Sequence, residues 1–307
     1  MSQTQRLLLI APSAMMHTPA FDRAAALALA MHLPLHIVAF DYSQVLAVAG
    51  LFAPEQFSLA RDGYLQTHRQ WLTDQTASMS KHGVEVTSEV VWVQDPYAEI
   101  LHFINEMPLA MIIKDAQEES ALKRVFYAPL DWQLLRDCPV PVHLVTTSRN
   151  PRPHHILAII DVLRDEDQDR VFNDQIIDAA AKLATVCDAS LELLHVYDWT
   201  AVYVKDMGFG ALPLASGIYE ALGAAQHEAF AAIAARHGVP VDRRHFKEGA
   251  PVASICEFAA EHGTDVIVMG TVQHKGLSKL LGTTAEQLLH RAPCSVLAIK
   301  PERMLQS

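Results

Sequence analysis

The stretch Val266–Leu289, VIVMGTVQHKGLSKLLGTTAEQLL, decides how the chain is read. It opens with a short run of apolar, mostly β-branched residues, the pattern of a strand buried on both faces. It closes with helical spacing from Thr283 to Arg291, with Glu286 in the first turn. Between them lies a loop carrying Gly270, Gly276 and Gly282. A strand that passes through a glycine loop into a helix N-terminus leaves free N–H groups that favour an anion. Gly282 lets the backbone approach a phosphate closely, and the Thr283 and Thr284 hydroxyls either donate to that anion or cap the helix. The loop is therefore either a phosphate cradle or a capped helix after a glycine turn. It is not a Walker A loop, since five residues separate Gly270 from Gly276 and Leu-Ser follows; nor is it G-x-G-x-x-G.

The same strand–helix alternation extends outward. His155–Ile160 and Leu191–Tyr197 read as strands, Phe172–Val186 and Ala224–His237 as helices, and Val241–Lys247 as a polar, edge-like strand. Pro251–His262 reads as a helix with proline at its start, Asp265–Met269 as a strand and Ser295–Lys300 as the last strand. Gly238 and Gly263 stand where left-handed C-caps belong. The first half follows this plan from Leu7 to Thr147. Alternating strands and helices specify a parallel sheet covered on both faces, with ligands at the carboxyl ends of its strands.

The plan is written twice at a period of about 155 residues. His82-Gly83-Val84 matches His237-Gly238-Val239, and Pro96-x-Ala98-x-Ile100 matches Pro251-x-Ala253-x-Ile255. Pro139-x-x-Val142 matches Pro293-x-x-Val296, and Phe40-Asp41-Tyr42 matches Tyr197-Asp198-Trp199. Ser148-Arg-Asn-Pro-Arg-Pro153 interrupts both patterns and reads as a junction. The domains are thus 1–148 and 154–307, joined by a linker at 149–153, which agrees with the two-domain expectation for 307 residues.

The formal charge of −11 repels nucleic acid and anionic membrane, so neither is an expected partner. The four cysteines form no C-x-x-C pair, as expected of free thiols in a reducing compartment. The N-terminal apolar run ends at Pro12, too short for a signal-peptide core, and no run approaches the roughly 18 residues of a membrane span. The expectation is a cytoplasmic protein.

With these residues in view, the chain resembles the universal stress proteins. The duplicated plan, VMGT…LLGTTAEQLLHRAPCSVLAIKP and the first-half stretch Pro129-x-Asp131-Trp132-x-Leu134-Leu135-Arg136-x-Cys138-Pro139-x-Pro141-Val142 carry the likeness, the latter to the tandem E-type members. The resemblance implies α/β architecture: two tandem, doubly wound, five-stranded parallel-sheet domains of the adenine-nucleotide alpha hydrolase-like kind. It also implies ATP or AMP as ligand and no metal. The family's motif is glycine, two residues, glycine, nine residues, glycine, then Ser or Thr. Here Gln273 stands at the second glycine, and Gly270 to Gly282 is one residue short.

Carried over position by position, the resemblance implies that Asp161 meets the nucleoside and that Val196 contacts adenine. Met269, Gly270 and Thr271 would lie beside the nucleotide, and Gly282, Thr283 and Thr284 would hold phosphate. In the first half Pro12 replaces Asp161, Lys114-Asp115 replaces Met269-Gly270, and Tyr127-Ala128-Pro129 replaces the glycine and hydroxyls. Pro129 has no N–H to offer, and Asp131 places negative charge in the first turn of the next helix. That half reads either as a structural partner or as a site for something other than nucleotide. In this family the last strands pair across a dimer; in a tandem chain the contact is either internal, as a pseudo-dimer, or between copies, as a homodimer.

Other features are weaker. Ser78-Met79-Ser80-Lys81 lacks the partner motif of a synthetase loop and precedes His82-Gly83, a helix-end pattern. The sixteen histidines show no H-E-x-x-H spacing, so no metal site is expected. No serine stands in a G-x-S-x-G elbow. Two apolar inserts, Val45–Pro54 and Ala201–Ser216, follow the second strand of their halves; they either pack the halves together or cover a crevice for an apolar ligand. The leading expectation is a non-catalytic stress-response module that binds an adenine nucleotide in its second half and couples it to signalling or protection. The alternative is a sensor or carrier of an apolar small molecule with a vestigial nucleotide site. If the protein has any enzymatic activity, it is at most that of a slow ATPase.

Overall fold

The computed structural model describes residues 4–52, 54–116, 130–146, 150–162, 167–198, 216–271 and 283–301. The chain divides into two compact units, Met1–Arg152 and Pro153–Ser307.

Unit 1 contains β1 (Arg6–Ala11), β2 (Leu35–Asp41), β3 (Val86–Trp92), β4 (Leu109–Asp115) and β5 (Val142–Val145). They pair in parallel in the order β3-β2-β1-β4-β5, with Leu7 opposite Leu35 on one side and Met111 on the other. Leu7, Leu8 and Leu9 are wholly buried, which is what their unbroken apolar run requires of a strand covered on both faces. The helices are α1 (Pro19–Met31), α2 (Gln44–Phe52), α3 (Pro54–Lys81), α4 (Pro96–Glu106) and α5 (Leu130–Asp137). Proline opens α1 and α4, where its missing N–H has no partner to lose.

Unit 2 contains β6 (His155–Ile159), β7 (Ser190–Tyr197), β8 (Arg244–Glu248), β9 (Val266–Gly270) and β10 (Ser295–Ile299). Their order, β8-β7-β6-β9-β10, repeats that of unit 1, again all parallel. Helices α6 (Asp167–Cys187), α7 (Ser216–Arg236), α8 (Pro251–Glu261) and α9 (Thr283–Arg291) accompany them. In both units the first strand lies between the second and the fourth, so the chain reverses its winding beside β1 and beside β6. The crevice outside the carboxyl ends of the strands at such a reversal is where ligands bind in this architecture.

Two segments differ from the sequence reading. Val241–Arg243 is a single 3₁₀ turn, and β8 begins at Arg244. Pro240 fixes the entry to that turn, and the Arg243 N–H closes it on the Pro240 carbonyl at 3.0 Å. The apolar insert after β2 is α2, started by Ser43, whose carbonyl accepts from Ala47 N–H at 2.9 Å. The second insert lies outside the described residues apart from Ser216, which opens α7. Gly238 and Gly263 do adopt left-handed backbone, at φ +67° and +61°. β8 pairs with β7 along one edge; all five of its residues, RHFKE, are partly or fully exposed.

Candidate nucleotide site

The carboxyl ends of β6, β7 and β9 bring Asp161, Val196, Met269, Gly270 and Thr271 to the same end of the unit 2 sheet. Asp161 follows β6 in an exposed position. Its backbone is clamped from α6: its N–H donates to Asn173 Oδ1 at 3.2 Å, and Asn173 Nδ2 donates to its carbonyl at 2.7 Å. Asn173 itself is 6% exposed. A second fixture is His195 on β7, 2% exposed. Its Nδ1 meets the Ile160 carbonyl at 3.0 Å, and its Nε2 lies 3.2 Å from Gln226 Oε1 on α7. The turn that carries Asp161 is therefore held from α6 on one side and from β7 on the other.

Val196 is half-buried and Met269 is buried, as core-facing strand residues are. Gly270 is bare for a packing reason. A Cβ there would lie 2.4 Å from Phe172 Cε1 and 2.9 Å from Ile176 Cδ1, so the glycine makes room for α6. Thr271 is 3% exposed. Its N–H donates to the Ile299 carbonyl at 2.9 Å and its hydroxyl to the same oxygen at 3.3 Å. That hydroxyl extends the pairing of β9 with β10. Thr283 and Thr284 open α9, and Gly282 lies outside the described residues.

This end of unit 2 thus presents an exposed carboxylate on a turn held by Asn173 and His195. Of the predicted glycine and hydroxyl positions, only Thr283 and Thr284, at the start of α9, lie among the described residues. Among the described residues, no group of three or more His, Cys, Asp or Glu side chains is placed to hold a metal. Among them also, no helix is long and apolar enough to cross a membrane.

The corresponding end of unit 1 is built differently. Lys114, 5% exposed, sits one residue before the end of β4. Its Nζ lies 2.7 Å from Asp131 Oδ1 in the first turn of α5 and donates to the Asp115 carbonyl at 3.0 Å. The Asp115 carboxylate accepts from the Thr18 hydroxyl and from Ala20 N–H. Burial pushes the Asp115 carboxyl above its ordinary range, with the Thr18 and Ala20 donors opposing the rise. Lys114 and Asp115 border a pocket of about 110 Å³ with Ile10, Ala11, Phe40 and Leu130. Sequence reasoning noted the substitution at Lys114 but not its pairing. It missed Asn173 and His195 altogether; the one available signal was a histidine inside the apolar run of β7.

Two doubly wound α/β units of identical strand order, each with its crevice at the winding reversal, define a tandem α/β chain. The universal stress protein family model matches residues 5–146 and again residues 155–300, and the chain belongs to that family. It is 26% identical to universal stress protein E of Escherichia coli K12 over 270 residues, covering 86% of this chain and 83% of that protein. The universal stress protein E homolog of Haemophilus influenzae is also 26% identical, over 259 residues and 83% of each chain. Among solved structures, a functionally unknown protein from Pseudomonas aeruginosa PAO1 superposes with a TM-score of 0.73 at 23% identity, over 99% of this chain and 95% of that one. A universal stress protein from Archaeoglobus fulgidus gives 0.62 at 16% identity, over 96% and 98%.

Proposed function

We propose that unit 2 binds an adenine nucleotide, ATP or AMP, and that the protein is a non-catalytic cytoplasmic module coupling that binding to signalling or protection under stress. One observation carries the reading: Asp161 is exposed at the winding reversal, on a turn clamped by Asn173 and His195. A carboxylate held there is preorganised for ribose hydroxyls, so little ordering cost falls on binding. Family membership supports the same ligand class. Gln273 and the shortened glycine loop weaken the hold on the outer phosphates, which favours AMP or a loosely held ATP. The test is mass spectrometry of small molecules released by denaturing freshly purified protein, followed by calorimetric titration with AMP and ATP. Saturable binding lost in Asp161→Ala and in Gly282→Val is expected; binding that survives both changes excludes this site. Phosphate release from ATP is expected to stay at the level of the Gly282→Val control.

A second reading, a sensor or carrier of an apolar small molecule, is favoured by α2 and α3. Val45, Phe52 and Leu59 are 79%, 85% and 76% exposed there, close to the aromatic group Tyr42, Phe57, Tyr64 and Trp92. Solvent-extracted lipid or apolar metabolite from the purified protein would support it, and the absence of any such load would remove it.

A further inference from the structure

The unit 1 crevice holds a cation that no nucleotide reading uses. Lys114 reaches it from β4, at the position Met269 occupies on β9. A buried ammonium without a partner is expensive, and here Asp131 supplies the carboxylate at 2.7 Å. The side chains of the pair are 7% and 13% exposed, so water screens their attraction weakly. Asp131 also lies in the first turn of α5, where free N–H groups favour negative charge. The place an incoming anion would take beside Lys114 is thus held by a carboxylate of the chain itself. A tethered group of this kind competes at an effective concentration of millimolar or more. Asp115 adds a carboxylate to the pocket border itself, one residue beyond Lys114.

We propose that Asp131 is a built-in anion that sets the selectivity of the unit 1 crevice. It closes Lys114 to phosphorylated and carboxylated ligands and leaves room only for small molecules without negative charge. The pocket volume of about 110 Å³ fits that size class, being below the ~300–1,000 Å³ of sites for drug-sized ligands. The inference does not depend on nucleotide binding in unit 2.

Inorganic phosphate is the probe. Calorimetry on the full chain compares the wild type, Asp131→Asn and the double variant Lys114→Met/Asp131→Asn, each checked for folding by circular dichroism. Asp131→Asn is expected to bind phosphate at least about tenfold more tightly than the wild type, since a like charge in contact opposes an anion by that much or more. The double variant is expected to lose the gain, which places the new site at Lys114 and not in unit 2. No gain in Asp131→Asn, or a gain that survives without Lys114, overturns the proposal. A second measurement needs no variant: the reaction of Lys114 with an amine-acylating reagent, followed by peptide mass spectrometry with and without millimolar phosphate. An unchanged rate is expected in the wild type, and protection by phosphate overturns the proposal.

Discussion

Gly270 and Phe172 share one space: a methyl group on the glycine would fall 2.4 Å and 2.6 Å from two atoms of the phenyl ring. Phe172 is 7% exposed, and Ile176 stands behind it. The family position that sequence reasoning assigned to the nucleotide is therefore also a contact between β9 and α6. Gly270→Ala is expected to destabilise unit 2 by about 1–3 kcal/mol, the usual cost of overpacking. Urea unfolding measures it. Combined with Phe172→Leu, the loss should be smaller than the sum of the two single losses, because the residues are in contact.

Asn173 and Asp161 separate scaffold from contact. Asn173→Ala removes both part-buried hydrogen bonds to the Asp161 backbone, at about 0.5–1.5 kcal/mol each. Asp161→Ala, at an exposed position, should change stability by no more than about 0.5 kcal/mol. Both substitutions should weaken AMP binding. Thermal melts paired with calorimetry distinguish them, and a stable Asn173→Ala variant would show that the clamp is dispensable.

Asp41 at the end of β2 and His68 on α3 pair through Oδ2 and Nδ1 and are almost wholly buried, at 0% and 3% side-chain exposure. The Tyr64 ring lies 4.6 Å from that of His68. Burial pushes the Asp41 carboxyl up, against the pull of His68. Breaking one side leaves a buried carboxyl without its His68 hydrogen bond, so His68→Leu should cost about 1–3 kcal/mol. Asp41→Leu/His68→Leu should cost less than either single change. Guanidinium unfolding checks both values.

His17 gives a pH dependence with a definite sign. Partial burial lowers its pKa, but hydrogen bonds to Gln75 and Asp22 and the charges of Asp22 and Asp115 outweigh that, so the net shift is upward from 6.5. The folded state thus holds the proton more tightly than the unfolded chain. The resulting stability is full below pH 6.5 and fades as pH rises through the higher folded value. His17→Ala should flatten this part of the profile. Thermal midpoints at pH 6 and pH 8 would show a smaller difference in the variant than in the wild type; an equal difference would remove His17 as its source.

The alternation of buried strands and capped helices was legible because each signal is local. Unbroken apolar runs marked β1, β4, β6 and β9, and glycines marked the ends of α3, α7 and α8. Val241 misled because its β-branched side chain is 78% exposed and Pro240 sets the turn instead. The first apolar insert was visible as a run but not as a helix, since its cap, Ser43, carries no periodicity. At the site, Asp161 and Gly270 stood out by position. What surrounds them did not: Asn173 is twelve residues from Asp161, Phe172 nearly a hundred from Gly270, and Asp131 about seventeen from Lys114. Such pairings arise from packing between distant elements, and no spacing rule announces them.

Among the described residues β8 is the last strand of its sheet, and its charged edge sets a limit on growth. Strand addition is how sheet proteins polymerise, and a duplicated sheet invites it at its margins. Any chain adding to β8 would have to strip water from Arg244, Lys247 and Glu248 together. Under conditions that partly unfold other proteins, this margin offers a poor template.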